Sequence, residues 1–96
     1  MIDKNSKGFK FLLNDRLHTE TYEEIKKDIE QIMNDYDLKK TNNVNYNGKG
    51  KLIIDIQDNF PSNLLLELNK YMGFEAIIKH KVNSTCLEYY LTDKMF

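Results

Sequence analysis

The sequence predicts an α+β fold: an antiparallel sheet of four or five strands with two helices on one face. Two segments repeat apolar residues at spacings of three and four, the signature of a helix with one buried stripe. Several others alternate apolar and polar residues in steps of two, as strands with one buried face do. Ninety-six residues make a single domain, 1–96, with residues 1–7 polar and expected to fray.

Taken in chain order, Phe9, Phe11 and Leu13 alternate with Lys10 and Leu12 and predict a first strand. Asn14-Asp15-Arg16 turns the chain. Tyr22, Ile25, Ile29, Ile32, Met33 and Tyr36 then form one stripe, predicting a helix over 21–36. Thr21 and Glu24 fit a capping box, and Glu23 and Lys27 an i,i+4 pair. Residues 37–50 are polar. Within them Val44 and Tyr46 suit a short edge strand entering the Asn47-Gly48 hairpin turn.

The most apolar strand covers 52–56, with Leu52, Ile54 and Ile56 facing one way, and is expected inside the sheet. Pro61 is tolerated in the first turn of the second helix, whose stripe is Leu64, Leu65, Leu68, Tyr71 and Met72. Gly73 stands where a left-handed cap belongs, and Phe74 can fold back on the last turn. Two strands follow around an Asn83-Ser84 turn. Phe74, Ala76 and Ile78 alternate with Glu75, Ile77 and Lys79, then Leu87, Tyr89 and Leu91 with Cys86, Glu88 and Tyr90. The order β-α-(β)-β-α-β-β implies a ferredoxin-like sandwich or a close variant, with both helical stripes buried on one side of the sheet.

Composition narrows the class. The chain is 41% hydrophobic and 30% charged, enough for a core and a solvated surface. A net charge of −1 argues against a surface that attracts nucleic acid everywhere. Cys86 is the sole cysteine, so no internal disulfide and no oxidising compartment is needed. No apolar run approaches a signal-peptide core or a membrane span, so the expected location is the cytoplasm. Lysine, asparagine and isoleucine are abundant while Arg16 is the one arginine. Such usage suits AT-rich codons, hence an AT-rich bacterium or one of its phages or plasmids. It also weakens bidentate phosphate recognition, which favours arginine.

Reactive residues are sparse. His80 and Cys86 flank a hairpin and could pair as base and thiol, but cysteine is commonly a small buried hydrophobe and a histidine near a turn is commonly just solvated. His18 lies before a helix without partners in the pattern. Two histidines and one cysteine lack the paired spacing of a metal site. Asp55 and Asp58 would fall on opposite faces of a continuous strand, and Asp58-Asn59 suits a helix cap. Gly48-Lys49-Gly50 precedes a strand rather than a helix, so it is no phosphate cradle. No catalytic residue, cofactor or metal is expected.

The remaining signal is a surface. Lys10, Lys51, Lys79, Ile53, Ile77 and Tyr90, with Leu12, are expected on the sheet face that the helices leave bare. Lys39, Lys40 and Lys49 could extend its charge. Glu23, Glu24, Asp28, Glu30 and Asp35 give the first helix an acidic outer face, and Leu66 projects outward from the second. The expected function is non-enzymatic protein binding, as a small inhibitor or adaptor. A phage or plasmid protein aimed at a host defence or replication factor would suit the size. The alternative is a nucleic-acid module whose lysines track a backbone while Tyr90 stacks a base. Self-association into a homodimer could accompany either reading; a membrane partner is not expected.

Overall fold

The computed structural model describes residues 2–13, 22–36, 43–47, 50–57 and 60–92. They form an α+β arrangement with a four-stranded antiparallel sheet and three helices. In chain order these are α1 (Lys7–Leu13), α2 (Tyr22–Asn34), β1 (Asn43–Tyr46), β2 (Lys51–Gln57), α3 (Ser62–Met72), β3 (Ile77–His80) and β4 (Ser84–Tyr90). The sheet order is β1-β2-β4-β3, so β2 and β4 are interior and β1 and β3 are edges.

The first element corrects the expected one. Residues 7–13 are helical rather than a strand, which makes three helices and removes the leading strand of the ferredoxin-like order. The Ser6 hydroxyl accepts the Phe9 N–H at 3.3 Å, and the Ser6 carbonyl accepts the Lys10 N–H at 3.1 Å, so Ser6 caps the helix. Phe9, Phe11 and Leu12 are buried, whereas Lys10 and Leu13 are exposed. The strand suggested by Val44 and Tyr46 is present as β1 and supplies the fourth strand. Ahead of α1, the Asp3 N–H donates to the Gly73 carbonyl at 2.7 Å.

The other helices follow their stripes. Ile25, Ile29 and Met33 of α2 are buried, with Tyr22, Ile32 and Tyr36 packed at the margin. Leu64, Leu68 and Met72 of α3 are buried, with Leu65 and Tyr71 beside them. Pro61 stands just before α3 as its N-cap. Gly73 ends the helix at φ 88°, the left-handed region that favours glycine, and its N–H donates to the Asn69 carbonyl at 2.8 Å. Residues 14–16, Thr21, Gly48, Asp58 and Asn59, for which turns and caps were expected, lie outside the described residues.

All three helices pack on one side of the sheet. Leu52, Ile54 and Ile56 of β2 pair across to Tyr89, Leu87 and Thr85 of β4, and this row is buried. Phe74 bridges the layers, meeting Phe9 and Tyr89 edge to face at 6.0 and 5.7 Å between ring centroids. The buried Tyr89 hydroxyl donates to Asn69 Oδ1 at 2.7 Å, and burial pushes its pKa up. At β1, Tyr46 packs between Phe11 and Tyr22. A polar tie joins the helices: Lys7 Nζ of α1 and the Tyr71 hydroxyl of α3 each donate to Asp28 Oδ2 of α2 at 2.7 Å. Burial pushes the Asp28 pKa up, but these bonds and the Lys7 charge outweigh it, so the net shift is downward.

Candidate functional site: the open sheet face

Alternation puts the other half of every strand on the far side of the sheet from the helices. In register, Lys51 of β2 stands opposite Tyr90 of β4, Ile53 opposite Glu88, and Asp55 opposite Cys86. On the other flank of β4, Ile77 of β3 stands opposite Glu88 and Lys79 opposite Cys86. Five residues expected on one face are therefore together: Lys51, Ile53, Ile77, Lys79 and Tyr90. Lys10 is not among them, because it projects from α1. Leu12 is also on α1, buried in the core. The sheet assignment of both fell with the misread first strand. Lys39, Lys40, Lys49 and His18 lie outside the described residues.

Glu88, which the sequence reading did not single out, is the centre of this face. Ile53 and Ile77 flank it along the row, and the two lysines approach on the diagonals. Lys51 Nζ lies 3.1 Å from Glu88 Oε1 and Lys79 Nζ 3.3 Å from Oε2. Glu88 is 7% exposed although it points to the open side, since its neighbours close over it. The Lys51 ammonium, hydrogen bonded to it, holds its carboxyl below the usual carboxylate range against the opposing effect of burial; Lys79 adds to the lowering. Its signal in the sequence was the alternation Cys86, Glu88, Tyr90, which put an acid on the same face as the expected Tyr90.

The same pattern recurs at Asp55, where Lys81 Nζ approaches Oδ1 at 3.3 Å. Lys51 Nζ also stands 5.3 Å from the centre of the Tyr90 ring, within cation–π range. Among the described residues, the three lysines of this face, Lys51, Lys79 and Lys81, thus already face carboxylates. No family model, curated protein or solved structure matches the chain.

Thiol chemistry finds no support on this face. Cys86 is buried, and burial followed by the Asp55 charge pushes its pKa up, away from the thiolate form. His80 pairs with Thr85 in register and so points to the opposite side from Cys86. Its Nδ1 lies 3.4 Å from Thr85 Oγ1. Among the described residues, no group of three or more His, Cys, Asp or Glu side chains converges to hold a metal, and no helix is long and apolar enough to cross a membrane. On the helical side a shallow groove of about 460 Å³ opens beside Lys7, Glu67, Lys70 and Tyr71. Lys7 and Tyr71 both bond Asp28, so its floor is already part of the helix tie.

Proposed function

We propose that this chain is a non-enzymatic protein-binding domain, a small inhibitor or adaptor, that docks a protein partner on its open sheet face. The observation that carries the reading is the pairing of the lysines with Glu88 and Asp55. A nucleic-acid site needs cations free to replace counterions on phosphates. Here the described cations of the face are paired with carboxylates within it, and Ile53, Ile77 and the Tyr90 ring are left as contact surface. Apolar area with a tyrosine is what protein interfaces enrich at their centres. A phage or plasmid protein directed at a host defence or replication factor suits its size and its lysine-rich, arginine-poor usage.

Tyr90 is the anchor of this reading, because a half-exposed tyrosine offers a large contact area and a polar tip. Tyr90→Ala is expected to weaken partner binding by about 1–2 kcal/mol or more with little change in thermal stability. Titration calorimetry with a partner isolated by pull-down from the host measures it. A Tyr90→Ala chain that binds normally rejects the proposal. Salt-steep binding of a single-stranded oligonucleotide, lost when Lys51 and Lys79 are replaced, would assign the face to nucleic acid instead.

A further inference from the structure

The two edges of the sheet are finished differently. Hydrogen bonding along β1 turns inward at Asn47, whose N–H donates to the Lys51 carbonyl at 3.0 Å, so by alternation Val44 turns its backbone outward. That outward Val44 carbonyl accepts the Tyr22 hydroxyl, the Val44 side chain is buried, and α2 lies against the strand. At β3 the inward position is Lys81, whose N–H donates to the Ser84 carbonyl at 2.8 Å. Counting back by two, Lys79 and Ile77 bond β4, while Ile78 and His80 turn their N–H and C=O groups away from the sheet. Among the described residues nothing pairs with this edge. Each face of the strand also carries an exposed isoleucine, Ile77 and Ile78 each being 42% exposed. Proteins normally blunt such an edge. The obvious blunting charge, Lys79, is drawn inward to Glu88.

We propose that β3 is a homodimer edge: two copies pair β3 with β3, antiparallel, about a two-fold axis at Ile78, which makes one continuous sheet from two. Charge favours this occupant, because the edge runs from an acid, Glu75, to the bases Lys79 and Lys81, and an antiparallel second copy complements it. With Ile78 facing Ile78 of the second copy, Ile77 faces the Lys79 stem, and Glu75, exposed just before the strand, faces Lys81 of the second copy, whose 56% exposed side chain bridges it and Asp55. Each opposite-charge contact occurs twice by symmetry. Side chains keep their faces only in registers shifted by two. The register centred on Lys79 would set Lys79 against Lys79 and Ile77 against Lys81; the one centred on Ile77 would set Glu75 against Lys79, which is already drawn to Glu88. Four residues of edge make a small interface, so the dimer is weak and concentration-dependent.

Sedimentation equilibrium of the full chain over about a hundredfold range of concentration tests this. The average mass should rise from the 11.4 kDa of one chain toward twice that value. Ile78→Lys, at an exposed position, should hold the chain at monomer mass with an unchanged circular dichroism spectrum. Glu75→Lys should raise the dissociation constant by about tenfold, and adding Lys81→Glu should recover most of that loss. A wild-type chain that stays monomeric throughout overturns the proposal. So does a dimer that Ile78→Lys leaves intact, or one indifferent to the charge exchange. Tyr90→Ala should leave the dimer unchanged, so this result and the fate of the open-face reading are separable.

Discussion

Glu88 places a carboxylate between two isoleucines near the middle of a sheet, where an unpartnered charge would carry a large desolvation cost. Two lysines answer it from the diagonals, but they are 33% and 59% exposed, so water and salt screen much of the attraction. The sign of its pH dependence follows from the lowered pKa. Above the ordinary carboxylate range Glu88 is ionised in both folded and unfolded chains, and its stabilising contribution is complete. As pH falls through that range the unfolded chain takes up the proton first, and the contribution is lost by the lowered folded value. Glu88→Gln keeps the shape and removes the charge. It should cost about 1 kcal/mol at neutral pH, and the gap from the wild type should close on acidification. Urea unfolding at neutral pH and near pH ~3 measures both. A gap that does not change with pH would mean that packing, not charge, is what Glu88 supplies. Asp28, whose pKa is also lowered, leaves some acid sensitivity in the variant.

Among the elements, α1 shows why a short pattern misleads. In Lys7–Leu13, Phe9, Phe11 and Leu13 satisfy a period of two, yet Lys7, Lys10 and Leu13 also satisfy a period of three. Seven residues are too few for the two periods to diverge. Leu13 is 46% exposed and Leu12 is buried, the reverse of the strand expectation. One cue favoured the helix, Ser6 ahead of the run as a cap; Gly8 inside the run weighed against it. Glycine weakens a helix by about 1 kcal/mol relative to alanine, so its presence points to a close approach. Here a methyl at Gly8 would come 2.8 Å from the Met72 Cα of α3. The thioether of Met72 can swing aside, but that backbone atom cannot. The steric cost therefore exceeds the propensity gain, and Gly8→Ala should destabilise the chain by about 1–3 kcal/mol. A thermal midpoint equal to or above that of the wild type would show that α1 and α3 are not in contact there. By contrast α2 and α3 run 13 and 11 residues, long enough for their period to be unambiguous, and Gly73 marked the end of α3 correctly.

At the scale of the whole molecule, the sheet is one layer with the helices on one side, so neighbouring residues of an interior strand should differ sharply in what they contribute. Ile54 is fully buried between Val44 and Leu87, over the helices; Ile53, one residue earlier, sits between Asn45 and Glu88 on the open face. This division was legible because 52–56 and 86–90 are each one uninterrupted strand, so that fixing one residue fixes the faces of all the others. Most of the candidate surface was readable for the same reason. Lys10 and the edge character of β3 were not, since strand order and the contents of a short helix depend on contacts distant in sequence. Ile54→Ala should cost about 2–5 kcal/mol through lost burial and the cavity left behind. Ile53→Ala removes the same atoms from a partly buried position and should cost clearly less, about 1 kcal/mol. Both are read from denaturant midpoints, with unchanged slopes showing that the unfolding transition is the same. Equal losses at the two positions would mean that something packs on both sides of the sheet. The open face would then be part of the core, and neither Tyr90 nor its neighbours could meet a partner without partial unfolding.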